Sequence, residues 1–154
     1  MDTSEIMRGQ LSRLLERSEA HAGFDAAVAN IAPEARGTRP AGLPHSAWEL
    51  LEHIRLAQRD ILEFCQDAVY LDRAWPDDYW PPTPGPPSLN AWDESVAAVR
   101  RDREELQRLI TDPSVDLLGI VPHGTTQTYL REVLVAADHN AYHVGQLMVV
   151  RRLL

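Results

Sequence analysis

A chain of 154 residues, 44% hydrophobic and 25% charged, has room for one domain with one core and holds no apolar run long enough to span a bilayer. Its formal charge of −8 excludes a sequence-independent grip on nucleic acid, which depends on clustered Lys and Arg displacing counterions from phosphates. A single cysteine, Cys65, excludes an internal disulfide and a cysteine-built metal site, so any metal or nucleophilic chemistry falls to histidines and carboxylates.

No stretch alternates β-branched residues with period two, whereas several carry apolar residues at three- and four-residue spacing, the pattern of an all-α protein. The opening segment, MDTSEIMRGQLSRLLERSEA, lacks the basic and then apolar stretches of a signal peptide, and the expected location is the cytoplasm. The first helix is predicted after the cap candidates Asp2, Thr3 and Ser4, with Ile6, Met7, Leu11, Leu14 and Leu15 on one side. It continues or kinks at Gly23 before a short run over residues 24–31 that Pro33 ends, and PEARGTRPAGLP is a loop.

The second long helix opens with Ser46 as N-cap and Glu49 three residues on, the capping-box spacing, and runs to about Val69 or Tyr70. Leu50, His53, Leu56, Ala57, Ile61 and Phe64 form its apolar stripe, so a histidine lies inside that stripe. Cys65 on the same helix reads as a buried, inert thiol. Residues 71–90, LDRAWPDDYWPPTPGPPSLN, hold six prolines and form neither a helix nor a central strand. Connections of this length are uncommon in compact domains. Trp75, Tyr79 and Trp80 favour a loop that packs, because three exposed aromatics would be costly.

The third long helix places Trp92, Val96, Val99, Leu106, Leu109 and Ile110 at helical spacing and stops at Asp112-Pro113. On it Arg100, Arg101 and Arg103 alternate with Asp102, Glu104 and Glu105, a solvated face. After a loop with Pro122, His123 and Gly124, the last helix starts near residues 125–128 and runs to the end, where Arg151 and Arg152 complement its dipole. Four amphipathic helices joined by long connections read as a single-domain four-helix bundle over residues 1–154, with the Pro-rich loop between the second and third long helices.

His139 and His143 stand one helical turn apart, about 6 Å at Cβ, close enough to bind one ion. Their stripe also carries Val135, Ala136, Leu147 and Val150, and the alternative is a pair of core histidines hydrogen-bonded to carbonyls or carboxylates. His53 adds a third imidazole from the apolar face of another helix. Three converging neutral rings fit Zn2+ or Ni2+ with an open position for water or substrate. Glu49 and Asp60 flank His53 and are the candidate catalytic carboxylates, while Asp138 and Gln146 flank the other pair; each reads more readily as an ordinary half-exposed polar residue. His21, His45 and His123 fall at a bend, a helix start and a turn, which local capping explains. No nucleophile-and-base pair, glycine-rich phosphate loop or G-x-S-x-G turn occurs.

The segments HSAWELLEHIRLAQRDIL, WPDDYWPPTPGPP, PHGTTQTYLREVL and DHNAYHVGQLMVVRRLL, in this order and spacing, resemble the DinB-like superfamily of small four-helix-bundle metalloproteins, also described as DinB/YfiT-like. The resemblance covers nearly the whole chain after about residue 20. It implies that His53, His139 and His143 bind a divalent metal. Relatives include thiol S-transferases and a thiol-dependent maleylpyruvate isomerase, which implies a metal that lowers the pKa of a low-molecular-weight thiol such as bacillithiol or mycothiol. The expectation is therefore a metal-dependent S-transferase or hydrolase acting on a small molecule, with Trp75, Tyr79 and Trp80 as the wall of its pocket. The competing expectation is a non-enzymatic small-ligand binder or stress-related bundle whose metal staples two helices. The resemblance also implies a homodimer paired through exposed helix faces, and no contact with DNA or membrane.

Overall fold

Reciprocal caps start the helices close to where the sequence places them. The structure, a computed structural model, describes residues 2–16, 19–66 and 69–154. Among these residues are α1 (Thr3–Glu16), α2 (Phe24–Val28), α3 (Ala47–Gln66), α4 (Ala91–Thr111) and α5 (Tyr129–Leu153), and the one strand-like contact is an isolated bridge between Ile120 and Thr128. Before α1, the Glu5 N–H donates to Asp2 Oδ1 and the Asp2 N–H donates to Glu5 Oε2, both at 2.8 Å. Before α3, the Glu49 N–H donates to Ser46 Oγ at 3.1 Å and the Ser46 N–H to Glu49 Oε2 at 2.8 Å. Thr128 Oγ1 caps α5 by accepting from the Arg131 N–H. Each cap satisfies amide groups that the helix cannot, at about 1 kcal/mol apiece. Arg8 closes the far end of α4, donating to the carbonyls of Ile110, Asp112 and Val115.

α3 is the centre of the bundle, packed against both α4 and α5, while α1 lies on α4 and α5 and α2 lies on α5. The main core joins Trp48, Leu51 and Ile54 of α3 to Trp92, Val96 and Val99 of α4 and to Val144, Leu147 and Val150 of α5. Burying each such large apolar side chain contributes about 1.5–3 kcal/mol. No helix among the described residues is long and apolar enough to cross a membrane.

Several boundaries and faces differ from the sequence expectation. The short helix α2 stops at Val28, although Ile31 beyond it is still buried. α3 is described to Gln66; Asp67 and Ala68 lie outside the described residues, and Val69 and Tyr70 are not helical. Its inward face is turned from the expected stripe: Leu51, Ile54, Gln58 and Leu62 are buried, whereas Leu56, Ile61 and Phe64 are only partly so. A helix held between two neighbours buries a wider face than one amphipathic stripe. On α1, Leu11 is buried but Ile6 and Leu14 are exposed, and on α5 Val135 is exposed.

The Pro-rich segment is fastened at both ends. Near its start, Asp60 on α3 accepts from the Tyr70 hydroxyl (2.7 Å), the Tyr79 hydroxyl (2.6 Å) and Arg73 Nε (3.2 Å). A 3-10 turn over Asp77–Tyr79 then rests on α3. Further on it crosses the α2–α3 connection at two glycines, where a Cβ on Gly37 would come within 2.8 Å of Gly85 Cα, and Ser46 Oγ donates to Pro84 O at 2.5 Å.

Candidate metal centre

Because α3 and α5 pack face to face, the inward histidine of one meets the inward pair of the other. The ring centroids of His53, His139 and His143 lie 4.8, 4.4 and 4.5 Å apart, pair by pair. One nitrogen from each falls within 4.8 Å of the other two, so the cluster could hold an ion. His53 and His143 are buried and His139 is partly buried.

Hydrogen bonds decide which nitrogens face inward. His53 Nδ1–H donates to the Tyr79 carbonyl at 2.8 Å, and His143 Nδ1–H donates to Gln146 Oε1 at 2.7 Å. Carbonyl oxygens only accept, so the proton of each neutral ring sits on Nδ1 and its Nε2 lone pair is bare. Such outer partners fix the ring and its tautomer for metal binding. His53 Nε2 and His139 Nε2 are 3.1 Å apart, a span that two bonds of about 2.0–2.1 Å to one ion can enclose. The donor set is all imidazole, which suits Zn2+ or Ni2+.

Burial, countered in part by the Tyr79 carbonyl, pushes the His53 pKa down, and burial countered by Gln146 does the same at His143. His139 falls furthest, to about 4, first by burial and then because His143 and His53 oppose a further charge. At neutral pH three uncharged rings converge, the protonation state that binds a cation.

The loop supplies one wall. Trp80 stacks flat on His53, with centroids 3.9 Å apart and planes 3° from parallel, and His45 stacks on Trp80 at 4.2 Å. His45, whose sequence context suggests only helix capping, therefore sits two layers from the centre. Tyr79 contributes its carbonyl, as above. Trp75 is tilted toward His53 at 6.3 Å but is 71% exposed, so the expectation that all three aromatics pack fails for this one. On the α5 side Tyr142, 64% exposed, meets His143 edge-on at 4.9 Å. These two exposed aromatics flank the centre, one from the Pro-rich segment and one from α5.

The flanking carboxylates are engaged elsewhere. Glu49 is occupied by the Ser46 cap and by a two-pronged pair with Arg39. Burial raises its pKa, but those bonds together hold it below the usual carboxylate range. Asp60 fastens the loop and reaches His53 only through Tyr79. Asp138 is exposed. Of the polar residues that flank the histidines in sequence, Gln146 is the one bonded directly to a ring. Cys65 is buried, its thiol pushed up to about 12 chiefly by desolvation, as expected of an inert thiol.

Two cavities lie near the centre. One of about 130 Å3 is almost wholly apolar and is lined by Leu43, Pro44, His45, Leu50, Gln146 and Val150 among others, so it shares His45 and Gln146 with the site. Another, of about 220 Å3, opens between α1, α2, α4 and α5 and includes none of the three histidines. A family model described as the DinB superfamily matches residues 16–147. No curated protein and no solved structure matches the chain.

Proposed function

The chain belongs to the DinB superfamily, and from that premise we propose that it is a divalent-metal enzyme of the thiol S-transferase type, with His53, His139 and His143 as the ligands. The observation that carries this reading is the convergence of three neutral imidazoles, two of which have their protons held away on Nδ1 by Tyr79 and Gln146. Bound there, a divalent ion supplies the positive charge that keeps a low-molecular-weight thiol ionised at neutral pH. The chain's own part is to present the rings, exclude water and receive the electrophile. Trp80 and His45 cover one side of His53 in successive layers, which lowers the local dielectric. The 130 Å3 apolar cavity beside His45 and Gln146 suits a small electrophile with an apolar body.

The reading includes a pair of chains. The outward stripe of α5 carries Val135, Tyr142 and Val149, all exposed, and supports a helix-face contact between two copies. Light scattering that gives a monomer at micromolar concentration would remove this part.

Metal analysis of the purified protein, with His53→Ala and His143→Ala variants beside it, tests the ligand set; unchanged metal content in both variants overturns it. A thiol tested against a panel of electrophiles, with and without chelator, tests the chemistry. A second reading, an ion that only staples α3 to α5, is favoured by the position of the triad between those helices. It is the reading left standing if metal is bound and no metal-dependent turnover occurs.

A further inference from the structure

The charged stretch of α4, expected from its sequence to be a solvated face, is not uniform. Arg103 turns inward: its side chain is 15% exposed, against 49% for Arg100. Its one ion-pair contact is long, Nη2 standing 3.5 Å from Asp25 Oδ2, whereas Arg100 holds the other oxygen of that carboxylate at 2.7 Å. Arg103 Nε is buried and makes no hydrogen bond. A guanidinium stays charged and carries five N–H donors, so α4 brings into the bundle a cation whose donors are largely unspent. Buried charges are normally paired, because desolvation without a counter-charge is costly.

That cation lines the larger of the two cavities, the one of about 220 Å3. Leu15, Phe24, Val99, Ala141 and Val144 give it an apolar wall. Gln58 and Asn140 add neutral amides that are bonded to one another at 2.8 Å. Arg103 is the only Lys or Arg of the lining. The carboxylates of the lining, Glu16 and Glu19, are exposed; Glu16 takes Gln107 Nε2 at 3.5 Å and Glu19 pairs with Arg13 at 3.5 Å. His21 Nδ1 is turned onto the Ala22 carbonyl at 2.9 Å. Repulsion of an anion by the two exposed carboxylates is screened by water and salt, whereas the attraction of Arg103 acts where solvent is largely excluded.

Size narrows the ligand further. An apolar cavity of about 150 Å3 takes benzene, so this one has room for a ring-sized body with a carboxyl group attached. A planar carboxylate also matches the guanidinium edge through two parallel N–H···O bonds.

We propose that this cavity is a second small-molecule site, which takes a monocarboxylate with a compact apolar body and pairs its carboxylate with Arg103. None of the three clustered histidines lines it, so the site goes beyond the metal-centre reading and stands or falls separately from it.

The test is calorimetric titration of the full chain with phenylacetate and with phenylacetamide, each with and without chelator. Phenylacetate should bind one to one with Kd below about 1 mM and about tenfold or more tightly than the amide; chelator should change neither. Arg103→Met, which keeps an apolar stem and removes the charge, should weaken phenylacetate binding about tenfold or more and leave the amide within about threefold. Ala141→Leu, which fills the space and leaves Arg103 in place, should weaken both. No saturable binding to the wild type overturns the site, and equal affinity for acid and amide overturns its assignment to an anion. Binding that chelator abolishes places the ligand on a metal and overturns the site as a separate one. Wild-type affinity in a folded Arg103→Met also overturns it; should that variant not fold, wild-type affinity in Ala141→Leu does so.

Discussion

The Trp80 indole lies flat on the His53 imidazole, 3.9 Å between centroids and 3° between planes. With the Tyr79 carbonyl on Nδ1, the stack leaves that ring no freedom to rotate and keeps water from one of its faces. Trp80→Ala is therefore expected to weaken Zn2+ binding about tenfold, and Trp80→Phe to retain most of it. A competition titration reads both, and equal affinity for wild type and the alanine variant would show that the stack has no orienting role.

Asp60 holds three donors of the Pro-rich segment. Replacing it with alanine leaves Tyr70, Tyr79 and Arg73 without their acceptor, at a cost of about 3 kcal/mol by analogy with other partly buried charged networks. Urea unfolding should show that loss, with weaker metal binding following through Tyr79. If Asp60→Asn instead abolishes turnover while stability and metal affinity are unchanged, Asp60 is a proton-transfer group and the fastening role is secondary.

Glu49→Gln separates helix capping from catalysis. The substitution weakens the pair with Arg39 and the Ser46 cap, so stability is expected to fall by about 1 kcal/mol, with metal content unaltered. The folded carboxyl lies below its ordinary 4.5, so the wild-type contribution is present above that value and is lost as pH falls through the folded one. The variant should show a flatter acid limb in its unfolding curve.

The triad gives a second pH dependence with its own window. A histidine whose folded pKa is lowered binds fewer protons folded than unfolded, so stability falls with pH through the unfolded value and levels off below the folded one. All three rings are shifted down from 6.5, and His139 reaches about 4. The metal-free protein should lose stability between about pH 6.5 and 4, where metal binding also weakens as protons compete for Nε2. His139→Leu should flatten that slope; an unchanged slope would place the proton uptake elsewhere.

Much of this centre is legible without coordinates. A histidine at position 53 inside an apolar stripe, and a pair at 139 and 143 one turn apart, leave two helices whose inward faces must meet in a small bundle. Ser46 and Glu49 announce the start of α3 by spacing alone. What supports the rings is not legible in the same way. The Tyr79 carbonyl and the Trp80 stack come from a segment with no period, whose position follows from prolines and from the Asp60 anchor. His45 meets Trp80 only because that segment folds back over the start of α3. The buried Gln58, which donates to the Val99 carbonyl and accepts from Asn140 Nδ2, leaves only a fainter trace as an amide on an inward face, and the turned face of α3 hides even that from a single-stripe reading.

The layering of His45, Trp80 and His53 also has an optical meaning. Trp48 and Trp92 are buried in the core, and Trp75 is largely exposed; Trp80 alone among the four tryptophans is sandwiched between two imidazoles. A charged or metal-bearing imidazole in contact with an excited indole withdraws electron density and quenches its emission. On the proposed reading, emission from Trp80 is expected to change with the state of His53 and so to report loading of the centre, against a constant background from Trp48, Trp75 and Trp92.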